Sequence, residues 1–266
     1  MIKLENVVLA SPEQMAFIIQ GMRNPMNSWD KSDSEIVMSG GVFVCGDNDI
    51  GLMQRLAKAG TDHRKFMRMM PVYVRITAPL YWWKEFDTNK VGTVVNSCST
   101  MHKIQEKAFT LEDFSYEHLI DDSPLDDNET KELEETLRNC DDYPASCVME
   151  DGYFSVNNEN GYLAFSVTYR DTSINTFYYS TKSVLETFII PVLNANREAY
   201  LKTKDKKYWW QMIQLLPSSY NQTRNVMLNY EVLANIYKSR KDHKLDEWRE
   251  FCKWIEELPY HELITD

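Results

Sequence analysis

The sequence predicts an α+β fold with an inserted β-hairpin. Three observations lead to this fold class: a loosely alternating strand pattern near the N-terminus, two alternating runs around an Asn-Glu-Asn-Gly turn, and helical periodicity through the last third. The chain has 266 residues, enough to bury a sizeable core, and contains no internal repeat and no clear linker. We therefore expect a single domain over residues 1–266.

The first predicted elements are a strand and a helix. Residues Ile2 to Leu9 alternate loosely in hydrophobicity, which is typical of a strand. Ser11 at the N-cap, Pro12 at the first helical position and Gln14 at the third form a helix-start signal. A helix is therefore expected to run from this signal to about Gly21.

Glycines mark the next two elements. The short apolar run of residues 40–46 lies between glycines and predicts either a buried strand or a turn. Asp47 or Asn48 can cap a helix that continues to Gly60, which would serve as its C′ residue.

The middle of the chain mixes strand and helix signals. Residues 67–77 favour a strand whose early part lies at an edge or bulge, because Pro71 has no backbone N–H. Acidic residues dominate from 112 to 142, and residues 128–140 indicate an exposed helix with a solvated face, the alternative being a metal site. Residues 153–169 predict a β-hairpin, since Asn and Gly tolerate the positive φ of its turn.

Helices are predicted for most of the remaining chain. Residues 183–200 and 206–215 have helical patterns. A long helix is expected from Thr223 to about Lys241, and another from Leu245 to Leu258, where Pro259 ends it.

Composition restricts the class of protein and its partners. Lys and Arg number 29 against 40 Asp and Glu, which gives a net charge of −11 and argues against duplex nucleic acid or an anionic membrane as partner. The 5 cysteines are odd in number and lack metal-binding spacing, so free thiols, a reduced compartment and no metal are expected. No secretory signal or membrane-spanning run is visible. A cytoplasmic protein is the prediction.

Two groups of residues are candidates for ligand binding. On the predicted helix, Asn229, Ile236 and Arg240 fall on one stripe, where the Arg240 guanidinium could hold a phosphate or a base edge. The alternative for Arg240 is a helix-end arginine that complements the dipole or pairs with Asp242. The second group is rich in hydrogen-bonding side chains and suits a base, sugar or phosphate, with an ordinary polar loop as the alternative. Its members are Thr93, Asn96, Ser97, Ser99, Thr100 and His102.

Cysteine and tryptophan offer weaker candidates. Cys98 could act as a nucleophile, but no histidine is placed by the sequence to activate it, so a simple thiol is favoured. The tryptophan pairs could stack on a base or a flavin, although core or interface packing is favoured. These pairs are Trp82 with Trp83 and Trp209 with Trp210.

Two blocks of the chain resemble the flavin-dependent thymidylate synthases, which methylate dUMP with a folate carbon donor and FAD. Residues 49–79 are similar to a family helix, a Gly-His-x-x-Pro-Phe-x-His turn and a strand that ends in Ala-Pro. The matching residues of this block are Gly60, Phe66, Ala78 and Pro79. Residues 216–251 are similar to the C-terminal helix pair of the family.

The resemblance implies a mostly antiparallel sheet flanked by helices, an insertion around residues 104–215, and a homotetramer with sites shared between subunits. It also implies a nucleotide ligand and FAD as cofactor. Together with the polar stretch, it points to nucleotide binding by Asn96, Ser97, Ser99, His102 and Arg240. The positions implied for the cofactor are Arg68, Asn89, Lys90 and Asn229.

Only part of the family signature is kept. The family carries Arg-His-Arg and then Ser-x-Asn-Glu-x-Ser-x-Arg-Tyr, whereas Arg-His-Arg falls here on Thr88-Asn89-Lys90. Asn96 and Ser99 match the Asn and the second Ser of the motif. The Glu, Arg and Tyr are replaced by Ser97, Met101 and His102. Each lost guanidinium contact to a phosphate removes a charge-assisted bond worth about 1.5–3 kcal/mol.

Three functions remain open at this level. One is an enzyme that transfers a methyl or hydroxymethyl group to C5 of a pyrimidine deoxynucleotide. The second is a non-catalytic nucleotide binder that senses or sequesters its ligand, for example a phage sponge for an immune signal. The third is an oligomer whose aromatic residues only form interfaces. No GxGxxG, Walker, HExxH or GxSxG motif is present to favour another chemistry.

Overall fold

The computed structural model describes residues 2–37, 41–121, 152–159, 162–169 and 172–266. These residues divide into two compact units, the first formed by Met1–Thr100 with Ser218–Asp266 and the second by Met101–Pro217. The acidic helix predicted over residues 128–140 lies outside the described residues. The prediction of a single domain stays a prediction.

An antiparallel four-stranded sheet organises the first unit, with the order β1-β4-β9-β5. Its strands are β1 (Lys3–Leu9), β4 (Pro71–Pro79), β5 (Val94–Ser97) and β9 (Asn221–Asn229). A short hairpin pairs β2 (Glu35–Val37) with β3 (Val42–Val44). The helices are α1 (Pro12–Arg23), α2 (Asp47–Lys58), α3 (Lys65–Arg68), α4 (Leu80–Phe86), α9 (Tyr230–Arg240), α10 (Asp246–Glu256) and α11 (Glu262–Thr265). The predicted α+β class with an antiparallel sheet flanked by helices is confirmed.

The predicted start of α1 is confirmed in detail. The Ser11 hydroxyl accepts from the Gln14 backbone, and the Gln14 side chain accepts from the Ser11 backbone, which is the capping box that the sequence predicts. The helix continues past Gly21 to Arg23, because its apolar face remains buried in the hydrophobic core through Ile19 and Met22.

Strand β4 lies inside the sheet, so the edge position predicted from its proline is wrong. Pro71 is the first residue of the strand, a place where its missing N–H interrupts no ladder. Val72, Val74 and Ile76 are buried on one face, whereas Tyr73 is half-exposed on the other. We call the face with the buried valines the inner face.

The predicted helix from Thr223 is wrong over its first turns. Residues Asn221–Asn229 form β9, and the helix α9 begins only at Tyr230. Val226 and Leu228 are buried at strand spacing, and Asn229 caps the helix by accepting from the Val232 backbone.

The inner face of the sheet carries an aromatic core. Trp82 contacts Trp83, Phe86, Trp248 and Phe251, with ring centroids 4.7–5.8 Å apart. All of these rings are buried in the first unit. Core packing, the favoured alternative for the first tryptophan pair, is therefore what the structure shows.

The second unit contains a three-stranded antiparallel sheet in the order β6-β7-β8. Its strands are β6 (Gly152–Glu159), β7 (Tyr162–Tyr169) and β8 (Thr172–Tyr179). The predicted hairpin is confirmed by the first two, and the third strand was not predicted. The helices are α5 (Thr100–Lys103), α6 (Thr181–Val184), α7 (Ile190–Thr203) and α8 (Lys206–Leu215), with a π-helical turn at Leu185–Ile189. None of the helices in the described ranges is long and apolar enough to cross a bilayer.

Candidate functional site

A cavity of about 330 Å³ lies beside the edge strand β5, at the C-terminal end of α4. Phe86 and Val95 form its apolar walls. Its polar lining residues are Asp87, Asn89, Lys90 and Thr93. We call this space the α4–β5 cavity. It combines apolar walls with a small number of polar groups, as small-molecule sites commonly do.

The loop between α4 and β5 is held by its own backbone. The N–H groups of Thr88 and Asn89 donate to the carbonyls of Glu85 and Phe86, and the N–H of Thr93 donates to Lys90. The helix therefore ends in a series of tight turns that bring the polar residues of the loop to the cavity.

Two residues that line the cavity, Thr93 and Lys90, could bind a ligand. The Thr93 hydroxyl is buried and has no hydrogen-bond partner among the described residues. A buried hydroxyl without a partner is costly, so a ligand that bonds to it would gain affinity. Lys90 is exposed at the cavity and forms none of the ion pairs found within the described ranges. A polar, anionic ligand fits this pair of groups.

Strand geometry separates two predicted site residues. Val95 pairs with Val226 and Ser97 with Arg224, so these four share the inner face on which Val226 is buried. Asn96 pairs with Asn225 on the opposite face, because successive strand residues alternate. Ser97 therefore lies on the cavity side of β5 and Asn96 on the other.

Arg224 is a fixed guanidinium next to the cavity. It lies over the Trp83 ring at 4.1 Å, and its Nε donates to Gln222 Oε1 at 2.9 Å. Gln222 in turn donates to the carbonyl of Cys98 at 2.9 Å. Arg224 Nη1 donates to Asp87 Oδ1 at 2.7 Å, and Asp87 lines the cavity. The sequence analysis did not single out Arg224 or Asp87 as a site candidate.

Arg240 lies in a separate charged cluster. Its Nη1 is 3.0 Å from Glu85 Oε2, and its guanidinium lies 4.9 Å from the Trp248 ring centroid. The Trp248 indole donates to the same carboxylate oxygen at 2.9 Å, and His243 Nε2 is 3.4 Å away from it. The predicted stripe with Asn229 and Ile236 is not formed, because Asn229 precedes the helix and Ile236 is in the core.

The remaining predicted nucleotide residues lie beyond β5. Ser99 follows the strand and is exposed in the first unit. His102 is on α5 in the second unit, where its carbonyl accepts from Gln105. Cys98 is a free, exposed thiol.

Solved structures with the same architecture cover almost the whole chain. Thymidylate Synthase X (ThyX) from Helicobacter pylori, crystallised with FAD and dUMP, matches with a TM-score of 0.55 and 14% identity, over 100% of this chain and 97% of that one. A UMP/dUMP methylase, PolB from Streptomyces cacaoi, bound with 5-Br dUMP, matches with a TM-score of 0.52 and 12% identity, over 100% and 94%. The fold is that of the flavin-dependent thymidylate synthases. No protein-family model and no curated protein sequence matches the chain.

The thymidylate synthase fold implies FAD, but three of the four residues predicted to hold it have internal partners. Arg68 forms a bidentate pair with Glu231, and this pairing raises the pKa of the guanidinium. Asn89 donates to the Phe86 carbonyl at 3.2 Å, and Asn229 caps α9. Of the four predicted residues, Lys90 alone presents a cation without such a partner, so as they stand these residues offer a dinucleotide diphosphate a single charge-assisted contact.

Gly92 lies in the loop between α4 and β5 and packs closely against the start of α9. Its φ is +77°, and a Cβ would lie 2.8 Å from Asn229 Nδ2 and 3.1 Å from Val232 Cγ2. Gly92→Ala should lower the free energy of unfolding by about 1–3 kcal/mol, since strain and contact act together. Gly60→Ala is the control, because its φ of +102° is also positive but open space surrounds it. Equal losses in urea titrations of the two variants would contradict the role of the contact.

Proposed function

We propose that the protein binds a pyrimidine nucleotide in the α4–β5 cavity. The observation that carries the proposal is the unpartnered Thr93 hydroxyl beside the Lys90 cation in a cavity of about 330 Å³. The relatives support the class of ligand, because ThyX was solved with dUMP and PolB with 5-Br dUMP.

Each wall of the cavity has a role in this proposal. Val95, the exposed part of the apolar wall, contacts the flat base, while Thr93 bonds to the base or sugar and Lys90 binds the phosphate. Ser97 extends the site along the inner face of β5. Asn96, Ser99, His102 and Arg240 stay predicted nucleotide contacts, and a homo-oligomer that shares sites stays a prediction.

Calorimetric titration of dUMP into the full chain tests the proposal. Lys90→Ala should raise the Kd about tenfold, because one charge-assisted bond to the phosphate is lost. Lys84→Ala is the control, since this lysine is exposed on α4 and does not line the cavity. Deoxyuridine, without the phosphate, should bind equally to the wild type and to Lys90→Ala. Absence of heat with a panel of pyrimidine nucleotides would reject the proposal.

One-carbon transfer to C5 of the nucleotide is the second candidate function. It is favoured by the whole-chain similarity to PolB, a UMP/dUMP methylase. Tritium release from C5-labelled dUMP, with and without added FAD and folate donor, tests this activity. Visible absorbance of the purified protein tests whether flavin is bound. Tight dUMP binding without tritium release would leave the protein a non-catalytic binder that senses or sequesters its nucleotide.

A further inference from the structure

We propose that Asp87 occupies the place of a ligand phosphate on Arg224 and that a phosphate displaces it on binding. This inference rests on the nucleotide site proposed above and assigns that site a second cation. Asp87 lines the α4–β5 cavity and also accepts from Arg224 Nη1, so it stands between the guanidinium and the space in which the ligand lies.

The guanidinium is held in one orientation before any ligand binds. The Trp83 ring packs against one side of Arg224. Gln222 Oε1 accepts a hydrogen bond from Arg224 Nε, and Gln222 Nε2 donates to the Cys98 carbonyl. Only 13% of the Arg224 side chain is exposed. A buried, pre-oriented arginine loses little entropy when it binds an oxyanion, and phosphate offers it more acceptor oxygens than a carboxylate.

The Asp87 carboxylate, in contrast, can readily be displaced from Arg224. Asp87 is 48% exposed and uses one oxygen toward Arg224. It is also the C-cap of α4, where the negative end of the helix dipole disfavours a carboxylate. The contact with Arg224 is therefore what stabilises Asp87 at this position, and water can solvate the carboxylate once a phosphate replaces it.

Exchange of the two anions changes the charge balance of the site. With Asp87 in place, the carboxylate offsets the charge of Arg224 and opposes an entering phosphate. After the exchange, the phosphate contacts Arg224 on one side and Lys90 on the other. The Asp87 contact thus weakens the binding of ligands that carry a phosphate and leaves the binding of nucleosides unchanged.

Removal of the carboxylate charge tests the proposal. Inorganic phosphate, dUMP and deoxyuridine are titrated into the wild type, Asp87→Asn, Asp87→Ser and the double variant Asp87→Asn/Arg224→Met, each checked for folding by circular dichroism. Both Asp87 variants should bind phosphate and dUMP about tenfold more tightly than the wild type, with deoxyuridine unchanged. The double variant should lose this gain. Asp30→Asn, which makes the same change in net charge at an exposed position, should have no effect.

The outcomes separate this inference from the proposed function. If dUMP binds the wild type tightly and neither Asp87 variant changes the Kd of phosphate or dUMP, the displacement is wrong and the nucleotide site stands. If phosphate binding depends on Arg224 and is strengthened in the Asp87 variants, but dUMP binds no better than phosphate, the displacement stands and the nucleotide site is wrong. If no variant binds any of the three probes, both are wrong.

Discussion

Asp49→Ala is expected to lower the free energy of unfolding by about 3–5 kcal/mol, because it leaves a buried charge without its partner. Asp49 is fully buried, and one of its oxygens accepts from Arg23 Nε at 2.6 Å. The other accepts from the hydroxyls of Ser32 and Ser34 at 2.7 and 2.6 Å and from two backbone N–H groups. Truncation leaves these donors without an acceptor and removes the carboxylate that offsets the charge of the buried Arg23.

A matched surface pair provides the control for this variant. Lys58 Nζ lies 3.6 Å from Asp266, and both side chains are more than half exposed. Lys58→Ala should therefore change stability by no more than about 1 kcal/mol. Urea unfolding followed by tryptophan fluorescence measures the free energy of unfolding of both variants. A loss of less than about 1 kcal/mol for Asp49→Ala would show that the buried pair does not stabilise the fold.

The Asp49 carboxylate should also make the free energy of unfolding depend on pH in the acidic range. Burial raises the pKa of Asp49, but hydrogen bonds from Ser34, Ser32 and Arg23 and the charge of Arg23 outweigh it, so the pKa is below its ordinary value. The stabilisation is therefore complete above the unfolded pKa of about 3.9 and is lost as the pH falls through the lower folded value. The stability of Asp49→Ala should depend less steeply on pH in this acidic range than that of the wild type.

Trp82→Ala is the second large expected effect, again a loss of about 3–5 kcal/mol in the free energy of unfolding. Trp82 has no exposed surface and lies at the centre of the aromatic core, with its ring centroid 4.7 Å from Trp248 and 5.0 Å from Phe86. Alanine would leave a cavity lined by rigid rings, which cannot collapse to fill it.

The indole N–H of Trp82 allows a second variant to test this prediction. It is buried and has no hydrogen-bond partner within the described ranges. Trp82→Phe removes this unsatisfied donor along with the extra ring, so its loss should be clearly smaller than that of Trp82→Ala. Trp210, which is 48% exposed, provides the control, and Trp210→Ala should lose no more than about 1 kcal/mol. Equal losses for the phenylalanine and alanine variants in calorimetric melting would contradict the account.

Local signals predicted several elements correctly because the forces that form them are local. The capping box of Ser11 and Gln14 satisfies backbone groups within one turn, so neighbouring residues are sufficient to recognise it. The hairpin of β6 and β7 follows from alternation around a turn. In contrast, the sequence predicts a helix where β9 lies, because polar Gln222 and Arg224 take inner-face positions and hide the period-two pattern of the strand.

The structure brings together only part of the residues predicted for the ligand site. The degenerate signature stretch does contain the loop and strand that line the α4–β5 cavity, including Asn89 and Lys90. Asn96 and Ser97 were grouped as neighbours in sequence, yet they lie on opposite faces of β5. Grouping them correctly requires the strand to be recognised first.

Patterns within a few neighbouring residues are enough to predict the α+β class, the capping box of α1 and the hairpin of β6 and β7. The resemblance to a known family, together with the polar side chains between Thr93 and His102, indicates the stretch where a ligand site should be sought. Which charged side chains contact each other depends instead on how distant parts of the chain pack. Asp87 and Arg224 are 137 positions apart, and their contact exists because α4 packs on the inner face of a sheet in which β9 pairs with β5. Pairing over such a distance is set by the folding of the whole unit, so no local pattern reveals it.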